Sequence, residues 1–190
     1  MTLTIVIATI QRDSLLTCIE ALRGQKYDEI IIVNDMEGNL SRARNRGINS
    51  ATSDLVAFID DDTIPLFNFV EQGKAYFENN KKLALMQGKV TGQVETSDEI
   101  FFVGANLWVR RVVAKQIGGF DEEFIKNDGY EDLDFCWRIA DQGGQFCYGV
   151  KCINNHPGKA GHTKTQRAED ILKRKHPKRF SRLMSENSAL

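Results

Sequence analysis

The sequence predicts an α/β fold: one domain over residues 1–190, with a Rossmann-like, mainly parallel sheet flanked by helices and a smaller β element in its second half. Three observations carry this. The first half alternates β-branched apolar runs with stretches at helical spacing, the signature of parallel strands joined by right-handed crossovers. The first two runs, "LTIVIA" and "EIIIVND", are almost continuously apolar, as strands covered on both faces are. The length of 190 residues allows one good core and not two, and no repeat, low-complexity tract or linker divides it.

In order, "LTIVIA" is the first strand. "DSLLTCIEALRGQ" places Leu15, Leu16, Ile19 and Leu22 at helical spacing, with Asp13 or Ser14 to cap its start and Gly24 its end. "EIIIVND" is a second buried strand, "LSRARNRGINSA" a basic helix and "DLVAFID" a third strand. Pro65 is expected to open a helix through "LFNFVEQGKAYFENN". "LALMQGKVTGQVE" and "IFFVGANLWVRR" read as strands with "TSDE" between them. A short helix, "RVVAKQI", ends at Gly118-Gly119. "YEDLDFCWRIADQGG" is helical, with Leu133, Trp137, Ile139 and Ala140 on an apolar side. "QFCYGVKCIN" is the last strand and "HPGKAGHT" a loop. "QRAEDILKRKHPKRFSRLM" is a basic terminal helix that Pro177 breaks or kinks.

Hydrophobic content of 42% and charged content of 27% describe an ordinary soluble globular chain. No apolar run approaches the roughly 20 residues needed to span a bilayer. The N-terminus reads as a strand and not as a signal peptide. Cys18, Cys136, Cys147 and Cys152 form no C-x-x-C, the pattern of reduced thiols in a cytoplasmic protein. The net charge of -1 conceals an asymmetry. Residues 159–190 hold nine Lys/Arg against three Asp/Glu, a surplus of +6, which leaves -7 on the rest. The basic tail is expected either to meet something anionic or to be a solvated helix. Nucleic acid is disfavoured, because the body is acidic and carries no reading motif.

In open α/β sheets, ligands bind beyond the carboxyl ends of the strands. Strand one ends at Thr9, with Gln11 and Arg12 following; strand two ends at Asn34-Asp35 and strand three at Asp60-Asp61-Asp62. In extended chain Asp60 and Asp62 point the same way. That suits a hard divalent cation, which takes one or two carboxylates and leaves room for substrate phosphate; the alternative is a solvated acidic turn. On a helix Arg42 and Arg46 share a side and Arg44 lies opposite, so one side can reach a ligand while the other meets solvent, and a surface role is expected for each. Cys147, Cys152, His156 and His162 have a zinc-like spacing. On a strand, however, the two cysteines point to opposite faces, which argues against zinc. Trp108 is placed either to stack on a sugar ring or to pack in the core.

The segments "IVIATIQRDSLLTCIEAL", "IIIVND", "SRARNRGINSATSDLVAFIDDDTIP", "GANLWVRRVVAKQIGGFDEEF" and "YEDLDFCWRIADQGG" occur in this order. Together their A-R-N-x-G, F-x-D-x-D, G-x-N, G-G-F-D and E-D-x-D motifs resemble the family 2 glycosyltransferases of the GT-A fold, over roughly residues 3–157. The resemblance implies a nucleotide-sugar donor, UDP-linked by preference, bound by residues 1–100. An acceptor and catalytic half, with the smaller β element, would follow at 101–160 and a basic C-terminal helix at 161–190. It places Thr9 and Arg12 near the nucleotide, Asp35 near its base, Arg44 near base or phosphates, and Asp60 near ribose and metal, with Asp61 in the same donor set. Asp62 would bind Mn2+ or Mg2+ directly, and a histidine after the last strand would complete the metal site: His156, with His162 in reserve. Transfer would be inverting, of a hexosyl or similar group, with Asp132 as general base. Asp134 would face elsewhere. Such a carboxylate, with an ordinary pKa of about 3.9, is ionised at neutral pH. Gly104, Asn106, Trp108 and Glu131 would line the acceptor side, and Gly118, Gly119 and Asp121 would shape the loop leading to the base. The acceptor would be a carbohydrate, a lipid-linked molecule or a protein, with peripheral contact at the inner membrane face through the basic tail. The chain departs from the pattern in keeping one acid after strand two, in being short, and in lacking Q-x-x-R-W, which favours single transfer. The alternatives are a non-catalytic nucleotide-sugar-binding module and a sugar-phosphate nucleotidyltransferase. "ATIQRDS" lacks the glycines that the latter uses to cradle a triphosphate.

Overall fold

All seven residues of β1 (Leu3–Thr9) are buried, as its unbroken apolar run requires. The computed structural model describes residues 1–91, 102–125, 128–156 and 164–187. After β1 come α1 (Ser14–Ala21), β2 (Glu29–Asn34), α2 (Leu40–Ser50), β3 (Leu55–Asp60), β4 (Ile64–Pro65), α3 (Phe69–Asn79) and β5 (Leu83–Val90). The second half holds β6 (Asn106–Arg110), α4 (Arg111–Gln116), α5 (Glu131–Asp141), β7 (Gln145–Asn155), α6 (Gln166–Lys175) and α7 (Pro177–Asn187). The expected strand residues 92–95 and 100–101, and most of the loop after His156, lie outside the described residues.

The strands form one sheet in the order β2-β1-β3-β6-β5-β7-β4. β1 pairs in parallel with β2 and β3, and β5 with β7; β6 runs antiparallel between β3 and β5, and β4 antiparallel to β7. Five of the seven strands therefore point the same way. Their carboxyl ends, together with the amino end of β6, form one edge. The reversed β6 is fixed at its far end by Arg110, whose guanidinium donates to the Leu83, Phe77 and Asn80 carbonyls.

Apolar clusters cover both sheet faces. On one, Trp108 packs on Phe69 with ring centroids 5.2 Å apart, directly under Gly73, where a Cβ would come within 2.3 Å of the indole. Asn39 caps α2 by accepting from the Arg42 N–H at 2.9 Å. Asp13 sits at the N-cap of α1 but makes no side-chain capping bond, while Gly24 takes the expected left-handed turn at φ 80°. Pro65 does not open a helix. It lies in β4 opposite Asn154, an edge position where its missing N–H costs nothing, and the helix begins at Phe69. Pro177 does divide the basic tail, ending α6 and standing first in α7.

Candidate active site

β4 is only two residues long, yet it sets the site. Its pairing of Ile64 with Asn155 brings the turn after β3 beside the end of β7. The ligand atoms of Asp60, Asp62 and His156 consequently lie within 4.8 Å of one another. His156 Nε2 is 3.4 Å from Asp62 Oδ1. Two carboxylates and an imidazole are donors suited to a hard or borderline divalent cation, and clustered acids are the arrangement such an ion stabilises. His162 lies outside the described residues. Cys152 is fully buried and Cys147 half-buried, and the group that converges with His156 is the acid pair, not the cysteines.

The middle acid, Asp61, turns inward. It accepts from Thr9 Oγ1 at 2.6 Å and lies 3.4 Å from Arg12 Nη1, which also donates to Asp62 at 3.0 Å. Thr9 and Asp61 are both buried, so their side chains brace the loop against β1. At the end of β2, Asp35 is buried and held by two bonds of 2.7 Å from the Arg42 guanidinium, which keep its carboxyl below the usual carboxylate range.

Arg44 corrects one expectation, the surface role. Its side chain is 3% exposed, and the guanidinium donates to Glu131 at 2.9 Å and to Asp60 at 3.3 Å, over the Phe120 ring. The reason is helical phase: Arg44 shares the inner face of α2 with Ala43, Gly47 and Ile48. That spacing to Gly47 and Ile48 was the available signal. Gly104 gives the guanidinium its room, since a Cβ there would lie 2.2 Å from Arg44 Nη2.

Glu131 and Asp132 open α5. Asp132 is half-buried; one oxygen accepts the Gly104 N–H at 3.0 Å and the other the Leu133 N–H at 2.8 Å. Burial, and then the neighbouring Glu131, push its carboxyl up to about 7 against the pull of Arg44. It is therefore not an ordinary carboxylate: it changes charge near neutrality. Burial also raises Asp60, with Arg44 opposing and Asp62 adding to the rise. Asp134 is turned to Arg138, Lys175 and His176; its burial is outweighed by His176 and the two cations, which hold it low.

Two expected acceptor contacts are not available. Asn106 and Trp108 are both fully buried on β6. The Trp108 indole N–H donates to Asn106 Oδ1 at 2.9 Å, and the Asn106 amide donates to the Lys89 and Cys152 carbonyls. Side chains two apart on a strand share a face, and here that face is the core. Of the acceptor set, Gly104 and Glu131 remain at the site.

The basic tail finds its acids within the chain. Arg167 pairs with Asp128, Arg174 with Glu123, Lys175 with Asp121 and Asp134, and Arg179 with Asp141. Lys175 thereby fixes Asp121 in the loop that follows Gly118 and Gly119, both left-handed. Among the described residues, no helix is long and apolar enough to cross a membrane.

The model of glycosyl transferase family 2 matches residues 36–102, the stretch that carries Arg44 and the three consecutive acids. Over that stretch the chain is similar to this family. One relative, the pre-mycofactocin glycosyltransferase of Mycobacterium tuberculosis, is 25% identical over 132 residues, covering 56% of this chain and 27% of that protein. The chain thus spans about a quarter of the length of the curated relatives it matches. In fold it resembles the catalytic domain of Drosophila β1,4-galactosyltransferase 7 in complex with xylobiose, with a TM-score of 0.72 and 24% identity, covering 92% of this chain and 81% of that one. It also resembles S. aureus TarS 1-349 in complex with UDP, with a TM-score of 0.72 and 14% identity, covering 91% and 64%. A mutant of the same galactosyltransferase, in complex with manganese, UDP-Gal and xylobiose, matches with a TM-score of 0.65 and 23% identity, covering 87% and 76%. The single α/β domain is therefore a GT-A fold.

Proposed function

We propose that this chain is a metal-dependent, inverting glycosyltransferase that moves a sugar from a UDP-linked donor to an acceptor hydroxyl, most simply on a carbohydrate. The observation that carries this is the convergence of Asp60, Asp62 and His156 on the sheet edge that also bears Asp132. The complexes of the similar folds with UDP and with manganese, UDP-Gal and xylobiose support it.

Asp60, Asp62 and His156 would hold Mn2+ or Mg2+, and the ion when bound would stabilise charge on the departing diphosphate. Arg12 and Asp35 border the donor pocket, with Thr9 and Asp61 bracing it. Asp132 takes the acceptor proton as that oxygen attacks the anomeric carbon and the bond to the diphosphate breaks on the opposite face. Such a positioned base contributes about 10²- to 10⁴-fold in rate. Glu131, fixed through one oxygen by Arg44, presents the other to the acceptor.

The experiment is a thermal-shift panel of nucleotide sugars with Mn2+, followed by transfer assays on Asp132→Asn. Binding raises Tm in proportion to ln(1 + [L]/Kd), so a UDP-sugar should stand out. Asp132→Asn should keep that shift and lose transfer by about two orders of magnitude or more. Undiminished transfer by the variant would remove Asp132 from its role. A wild-type chain that binds donor but transfers to no acceptor would instead be a binding module.

A further inference from the structure

Glu131 and Asp132 are reached through backbone that side-chain-bearing residues avoid. Gly129 (φ 73°) and Tyr130 (φ 68°), immediately before α5, are both left-handed. In a tyrosine this conformation persists only where the surroundings over-determine it. Tyr130 is buried, its carbonyl accepts the Asp134 N–H at 3.0 Å, and the Lys164 ammonium lies 4.3 Å from its ring centroid.

Asp128, two residues earlier, is 3% exposed and fully engaged. Its side chain accepts from the Ile125 N–H at 2.9 Å and from Thr165 Oγ1 at 2.7 Å, and pairs with the Arg167 guanidinium. Its carbonyl accepts the Thr165 N–H at 3.2 Å. Arg167 reaches on to the Glu123 carbonyl at 2.8 Å. Among the described residues, the polar and cationic side chains that reach this turn from α6 lie in residues 164–167, at its start. Lys164 and Arg167 are themselves exposed, so the stretch grips the turn and adds little to the core. Behind it, α6 is seated by Ala168, Ile171 and Leu172, and its end by Lys175 and His176 on Asp134.

We propose that residues 164–167 are a strap that positions the catalytic carboxylate. By tying Asp128 and covering Tyr130, they keep the left-handed turn, and with it Asp132, seated at the Gly104 N–H. Asp128, Thr165 and Arg167 are positioning residues, and the proposal rests on Asp132 as the base.

The test uses the full chain as wild type, Asp128→Asn, Arg167→Gln and the double variant, with Arg167→Lys as the conservative control. Amide exchange is followed by NMR, and donor affinity and kcat are measured with Mn2+ and the donor found in the thermal-shift panel. Loosening the strap should speed exchange at Gly104 and Leu133, the two amides bound to Asp132, by about tenfold or more, while β1 and β3 amides stay protected. Donor Kd should stay within about twofold and kcat fall about 10- to 100-fold, the cost of displacing a reacting group by an ångström. The double variant should be no worse than the worse single one, because both cut one network. Arg167→Lys should recover part of kcat. Unchanged exchange at Gly104, or unchanged kcat in a folded variant, would overturn the proposal. So would an equal loss of protection in β1 and β3 with weakened donor binding, which marks a merely structural role. If the wild type transfers to no acceptor, the assignment of the base fails separately, and the exchange measurements still decide whether the strap seats Asp132.

Discussion

Replacing Arg44 with methionine keeps an unbranched apolar stem and removes one cation from between two carboxylates. Arg44 and Glu131 are 3% and 11% exposed in their side chains, while Asp60 keeps 32% of its own in solvent. Removing one partner of a buried ion pair costs about 3–5 kcal/mol, because the other charge stays buried without compensation. The partial exposure of Asp60 puts this case at the lower end, about 3 kcal/mol. A domain of this size loses roughly 2–4 °C per kcal/mol, so Tm should fall by about 6–12 °C at pH 8. The sign of the pH dependence follows. Without the guanidinium, Asp60 and Asp132, both already raised by burial, take up protons more readily folded than unfolded. The deficit is therefore largest above their folded pKa values and shrinks as pH falls toward 5. Thermal denaturation of both proteins at pH 5, 6.5 and 8 measures it. A loss below about 2 °C at pH 8, or one that does not shrink on acidification, would refute the buried-network argument.

Asp132, raised to about 7, must be unprotonated to act, so kcat should rise with pH through a limb centred near 7. Glu131→Gln, which removes the neighbouring charge, should move that limb to lower pH in a kcat-against-pH titration. Transfer should be abolished by EDTA and restored by Mn2+, and isothermal titration should show Asp62→Asn losing more Mn2+ affinity than Asp61→Asn, because Asp61 faces Thr9 and Arg12. Gly73→Ala should destabilise the fold by about 1–3 kcal/mol in urea, since its Cβ would meet the Trp108 ring and overpack that face.

The parallel β1, β2 and β3 were legible because each is an unbroken apolar run ending in polar residues, and that pattern alone places Thr9, Asp35 and Asp60 on one edge. The pairing of Asp60 with Asp62 was legible from strand alternation, and the place of His156 beside them only through the family resemblance. Its physical cause, the pairing of β4 with β7, is a two-residue ladder with no periodicity to read. The resemblance set Asn106 on the acceptor side because a motif in sequence does not say which face of a strand it occupies; on β6 it faces the core with Trp108, whose packing there was one of its two expected places. The burial of Arg44 is legible only from its spacing to Gly47 and Ile48 one turn on, because the arginines of "SRARNRG" taken alone divide between two sides of the helix. The strap at Asp128 carries no local signal at all: its partners are 37 and 39 residues away.

The acids at the end of β3 are not equivalent, and the division follows from strand geometry. Neighbouring residues at a strand end point to opposite sides, so Asp61 turns to β1 while Asp60 and Asp62 stay toward His156. Two cations divide them in the same way: Arg44 pairs with Asp60, and Arg12 with both Asp61 and Asp62. With Glu131 and Asp132, the pocket gathers five carboxylates against the guanidiniums of Arg12 and Arg44, with the Lys164 ammonium also acting on Asp132. Such a surplus of negative charge in a half-buried cleft favours bound cations and bound protons. On the proposed function, a divalent ion at Asp60, Asp62 and His156 would offset part of it. The proton that Asp132 retains up to about neutrality offsets more, and once ionised that carboxyl would take one from an acceptor hydroxyl.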